Sequence, residues 1–355
     1  MRLVLIVLML LAIAPAAAQT TTVSQVLQTA VTQVIRPGML EFKARASGLR
    51  IAMNALCSVP SEGTLVIAKG QFRQAALAYG RIEFLRIGPL MEDNRVDRLL
   101  FWPDRKGIGL KQVQAILATE DATATSLATL RGKSVAAQGF GALEFVLYGT
   151  GAEALLQPEG AFRCAYGRAV AANIAQIAGE LAAGWFAPEG IAGHLTAPQA
   201  DFADYRSENE ALEELVGLLS HGIEATRDTR INPFLATAER AARPKEALFW
   251  RAGLSMAMIR ANVDGMRRLL EQSGIARAVA QKDAGLDNSI DFEFGNAVRA
   301  LDLVTLPVEQ AVADDKQVAA LNYLVIVTGS LQALIGEQLS AALGLSVGFS
   351  SLDGD

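Results

Sequence analysis

From Ala169 to Trp185, the apolar residues Val170, Ile174, Ile177, Leu181 and Trp185 recur at spacings of three and four, the period of one helical face. Ala211 to Leu219, Leu248 to Leu270 and Val318 to Leu345 carry the same spacing, whereas the strict alternation of a half-buried strand is hard to find. Pro37, Pro60, Pro89, Pro103, Pro158, Pro188, Pro198, Pro233, Pro244 and Pro307 punctuate stretches rich in Ala, Leu, Glu, Gln and Arg, the stronger helix formers. The pattern predicts an all-α protein of long amphipathic helices packed as bundles. Gly139 is expected to precede a helix running from about Ala142 to Tyr148, and Gly149 to close it in the left-handed conformation.

The stretch from Ala197 to Glu208, APQADFADYRSE, mixes proline, polar and acidic residues and divides the remaining chain almost evenly. It predicts a helical bundle over residues 19–196, a linker over 197–208 and a second bundle over 209–355. Gly48-Leu49-Arg50-Ile51-Ala52-Met53 aligns without gaps on Gly253-Leu254-Ser255-Met256-Ala257-Met258, and each follows an Arg-Pro pair, so the two halves could descend from a duplication. Residues 1–18 read as a cleaved secretory signal: Arg2 is the positive end, Leu3 to Ile13 the apolar core, and Ala16-Ala17-Ala18 the small-residue cleavage site. The expected compartment is the periplasm, with no further apolar stretch of membrane-spanning length.

Composition narrows the chemistry. With 51% hydrophobic residues and a net charge of −5, the chain can bury a large core and lacks the basic surface of a nucleic-acid partner. His194 and His221 are the chain's two histidines, so a three-imidazole site is excluded and carboxylates must carry most of any site. His194 has no acidic neighbour in sequence and reads as structural. Export favours a disulfide between Cys57 and Cys164, the alternative being two separately buried thiols. The pairs Gly107-Ile108-Gly109, Gly139-Phe140-Gly141 and Gly149-Thr150-Gly151 do not complete G-x-G-x-x-G and fit helix ends better than a phosphate loop. His221, Glu224 and Asp228 share one helical face, which suits either a metal ion or simply a solvated stripe.

RIEFLRIGPL, LLFWPDRKGI and AAQGFGALEFVLYG occur in that order between residues 81 and 149, and the chain ends in LGLSVGFSSLDGD. Together these blocks resemble the imelysin-like family of exported bacterial proteins over essentially the whole mature chain. The resemblance implies two helical-bundle domains, a site at their interface and a role linked to iron uptake; founding members were described as metallopeptidases. The family signature G-x-H-x-x-E falls on Gly139 to Glu144, with Gly141 in the histidine slot and Glu144 retained.

A carboxylate at Glu144, between Leu143 and Phe145 on an otherwise apolar helix, is costly to bury without a partner. By resemblance its neighbours are Glu83, Arg86, Trp102 and Asp104, with Tyr148 one turn along. Glu144 either helps form a ligand site or makes an internal bridge with Arg86. Three functions follow. The first is a non-catalytic protein binding a metal ion (iron, zinc or calcium) or a small ligand at the interface. The second is a divergent metallopeptidase in which His221 and Glu224 join Glu144 around a metal. The third is a helical scaffold for an envelope protein partner.

Overall fold

The computed structural model describes residues 21–104 and 106–346. Residues 1–18, expected from the sequence to be a signal, and the C-terminal block beyond Ser346 lie outside the described residues. Among the described residues the chain is helical with no strand, and a lone bridge joins Thr237 and Arg240.

Helix α1 (Val23–Thr29) starts at Thr22, whose hydroxyl accepts from the Gln25 amide while the Gln25 side chain accepts from the Thr22 amide. The rod continues through a π-helical stretch, Ala30–Ile35, into α2 (Arg36–Ser58). Ser61 caps α3 (Glu62–Gly80), and α4 (Ile108–Thr119) and α5 (Phe140–Tyr148) follow. The spacing seen from Ala169 to Trp185 belongs to α6 (Ala161–Phe186), where Val170, Ile174, Ile177, Leu181 and Trp185 are all buried. After an irregular stretch over 197–207, Ser207 caps α7 (Glu208–Thr226), followed by α8 (Ser255–Ser273), α9 (Ala284–Asp302) and α10 (Asp315–Ala333).

Helix α6 lies along α2, which also packs on α3, and a disulfide joins Cys57 near the end of α2 to Cys164 near the start of α6, with Cα atoms 5.6 Å apart. In the second half, α7 packs on α8 and α10, and α9 on α8 and α10. The halves share one continuous apolar core. Helix α1 packs on α7 and α8, not solely within its own half, and α3 packs on α8. The crossing near Gly265 is so close that a Cβ there would sit 2.1 Å from the Arg81 carbonyl oxygen.

Several local expectations change. Helix α8 starts at Ser255, not near Leu248, because Leu248 to Gly253 form successive turns with Phe249 at φ 56°. Gly48 therefore sits inside α2 while Gly253 lies in a turn at φ 65°, so the echoed six-residue segments differ in structure at their first two positions and are both helical over the last four. Gly149 is extended at φ −75°; it is needed because a Cβ would approach the Phe145 carbonyl oxygen to 2.5 Å. Gly139 directly caps a helix beginning at Phe140, and there a Cβ would meet the Leu99 carbonyl oxygen at 2.2 Å. The run Asp315–Leu343 is long and apolar enough to cross a membrane by length and composition, contrary to the expectation from the sequence. In the fold one side of that run is buried against α7 and α9, with Leu321, Leu324, Val327 and Leu331 in the core.

Candidate functional site

Helix α5 is apolar on nearly every face, and Phe140, Leu143, Val146 and Leu147 are fully enclosed. Glu144 is buried among them at 5% exposure. Its Oε1 accepts the Ala252 backbone amide at 3.1 Å, and Arg251 Nη1 lies 3.9 Å from its Oε2. Both contacts come from the turns before α8, more than a hundred residues along the chain. Desolvation pushes the Glu144 carboxyl up to about 7, partly opposed by the Ala252 amide and the Arg251 charge.

The turns are set by Phe249, a bulky residue in the left-handed region, where such a residue costs about 1–3 kcal/mol. Its ring is anchored edge-on against Phe72 at 5.5 Å and Phe140 at 6.3 Å. With Phe249 fixed inward, Trp250 and Arg251 reach a cavity of about 960 Å³, and Glu144 lies in its wall. First-half residues Trp102, Asp104 and Leu110 line one part; Asp228, Leu235, Arg240, Lys245, Glu246 and Val325 line another. The volume is that of a small-ligand pocket.

The acids of this wall are already engaged. Asp104 accepts the Ile108 and Leu110 amides at 2.7 and 3.2 Å, an anchor for the start of α4. Asp228 accepts from Arg227 Nε at 2.8 Å and from Asn232 Nδ2 at 3.0 Å. Glu246 accepts from Arg240 at 3.2 Å and Arg243 at 2.9 Å. Trp102 donates its indole N–H to the Thr229 carbonyl at 2.9 Å, and the following Trp102–Pro103 bond is cis.

The remaining predicted site residues lie elsewhere. Glu83 accepts from Arg230 at 3.2 Å and from Asn262 at 2.7 Å, a buried pair that braces the halves. Arg86 is exposed beyond α3 and does not line the cavity; the cation facing Glu144 is Arg251 instead. Tyr148 packs on Phe72 at 5.8 Å and beneath the Lys69 ammonium, and burial pushes its hydroxyl up to about 12. His221 and Glu224 lie on α7 away from the cavity lining. A π-helical stretch, Arg227–Ile231, breaks the register that would keep Asp228 on their face, and Asp228 alone of the three lines the cavity. His194 does have an acid partner: the 197–207 stretch returns Asp204 to within 2.9 Å of its Nδ1.

The resemblance implies a metal, and the donor set argues against a bare ion here. Asp104, Asp228 and Glu246 are held by N–H donors, Glu144 faces a guanidinium, and among the described residues no three His, Cys, Asp or Glu side chains group as metal ligands. Gly141, in the motif's histidine slot, is exposed, and a Cβ there would meet nothing within 4 Å. Sequence reasoning missed Lys245, Trp250 and Arg251. The available signal was a Phe-Trp-Arg run in a segment bounded by Pro244 and Gly253, carrying one of just three tryptophans.

The fold and cavity define a helical protein with a cavity lined by residues from Trp102 to Val325. The chain belongs to the imelysin family, whose model matches residues 36–335. Its structure is similar to that of an imelysin-like protein from Psychrobacter arcticum 273-4, with a TM-score of 0.76, 18% identity, and 92% of this chain and 97% of that chain covered. It is also similar to a "putative iron-regulated protein A precursor" from Parabacteroides distasonis ATCC 8503, with a TM-score of 0.71, 14% identity, and 90% and 97% covered. No curated protein matches the sequence.

Proposed function

We propose that this imelysin-family chain is an exported, non-catalytic binding protein of iron uptake whose small ligand occupies the cavity beside Glu144. One observation carries the reading: both halves contribute to a pocket of about 960 Å³, with a buried carboxylate held in its wall across the halves by Ala252 and Arg251. The glycine at position 141 supports a binding role over hydrolysis, because a hydrolytic zinc needs three protein ligands and an open position. The iron link is supported by the name of the Parabacteroides protein, and export by the word precursor in that name together with the signal-like residues 1–18.

The test fills the cavity without touching the core. Ala236 is exposed and lines the cavity, so Ala236→Trp adds bulk at its mouth. A strain lacking the gene, complemented with Ala236→Trp, is expected to grow more slowly than its wild-type complement under iron limitation and equally well in replete medium. Equal growth in both media would remove the cavity from the function. Chelator-sensitive peptide hydrolysis by the purified wild type would overturn the non-catalytic part.

A further inference from the structure

Within that cavity the charges are unevenly satisfied. Asp104, Asp228 and Glu246 each have at least two hydrogen-bond donors from the protein, and Arg240 and Arg243 are both bonded to Glu246. Two cations remain. The Arg251 guanidinium donates no hydrogen bond among the described residues, and Glu144 Oε2, at 3.9 Å, is beyond hydrogen-bond reach. Lys245 has no carboxylate within ion-pair distance among the described residues and is exposed.

Both cations lean on one indole. Arg251 lies 4.5 Å from the Trp250 ring centroid and 5.5 Å from that of Phe145, and Lys245 Nζ lies 5.5 Å from the Trp250 centroid. Contact with the rings positions the guanidinium while leaving its N–H groups free to donate. The Arg251 side chain is 21% exposed, so its charge is partly withdrawn from water. Arg251, partly withdrawn from water, and the exposed Lys245 both lie against the Trp250 ring without a hydrogen-bonded carboxylate, and a ligand carrying at least two negative charges would satisfy both. Leu110, Leu235 and Val325 supply apolar wall for a short carbon skeleton.

We propose that the cavity takes a small polyanion, its carboxylate or phosphate oxygens bonded by the Arg251 guanidinium and the Lys245 ammonium. The inference rests on the reading that this cavity is the ligand site. It also reconciles an iron-linked role with a wall that does not suit a bare cation, because a polyanion can carry a metal in chelated form.

Calorimetric titration of the full mature chain with citrate, pyrophosphate and acetate tests it. Citrate or pyrophosphate is expected to bind, acetate far more weakly, with affinity falling as salt is raised. Arg251→Gln and Lys245→Gln should each weaken the polyanion about tenfold. Citrate binding alone would assign carboxylate chemistry, and pyrophosphate binding alone phosphate chemistry. The proposal is overturned if the wild type binds neither polyanion, or if Lys245→Gln, at an exposed position that leaves the core intact, binds as tightly as wild type. Should Ala236→Trp impair iron-limited growth while the wild type ignores both polyanions, the ligand-site reading stands and this inference alone falls.

Discussion

Glu144 shows what one residue can do in this protein and what its neighbours must do for it. Buried in the cavity wall, with the Ala252 and Arg251 backbone amides and the Arg251 charge only partly offsetting its desolvation, it holds its proton to a pH of about 7, where an ordinary glutamate would have lost it near 4.5. The native state therefore binds more protons than the unfolded chain between those values, so stability falls as pH rises from about 4.5 through 7. The shift corresponds to about 3 kcal/mol, to order of magnitude. Glu144→Gln is expected to remove that part of the slope, so that urea unfolding at pH 5 and at pH 8 should differ less in the variant than in wild type. An unchanged difference would mean that Glu144 does not titrate in that range. The carboxylate's unusual place on an apolar helix is legible in the sequence, but its partner is not. Arg86 is the nearer cation along the chain, whereas Arg251 reaches Glu144 because the turns before α8 fold across α5.

At the scale of elements, helices follow the pattern wherever apolar periodicity is long and uninterrupted. Helices α6 and α7 bury the residues that their spacing assigns to one face. The pattern misleads at the start of α8, where the helical stripe expected from Leu248 onward begins with Leu248, Phe249 and Leu254, which bury their side chains from a run of turns. Periodicity records which residues are apolar, and a turn anchored by aromatic packing can bury the same residues. Crossings are equally hidden. Gly265 sits mid-helix, where glycine is unfavourable by about 1 kcal/mol, and its reason is the Arg81 carbonyl opposite. Gly265→Ala should destabilise the fold by about 1–3 kcal/mol despite its better helix propensity, as read from the chemical denaturation midpoint. A stabilised variant would show that the two backbones can separate at little cost.

For the whole molecule, the disulfide and the shared core bear on the same question of how the halves hold together. Cys57 and Cys164 close a loop with a sequence separation of 107 residues, so reducing the bond should cost about 4 to 5 kcal/mol in the chain-entropy model. Cys57→Ser with Cys164→Ser should show that loss against wild type in guanidinium unfolding. Because the core is continuous, with α1 packed on α7 and α8, a single cooperative transition is expected in both proteins. Two separate transitions would instead indicate halves that fold independently.

The sequence by itself determined the helical class, the helical stripes of several long segments, the family and the isolation of a carboxylate at Glu144, because each is written in local spacing or in a contiguous block of residues. Only the tertiary structure decided which residues meet. Arg251 against Glu144, Arg230 against Glu83, Asp204 against His194, and Lys245 beside Arg251 on Trp250 bring together charges or rings from distant or irregular segments. Such pairings depend on turns, π-helical register shifts and close helix crossings, and on which donors each acid has already taken. These are properties of packing in three dimensions, and hydrophobic periodicity carries no record of them.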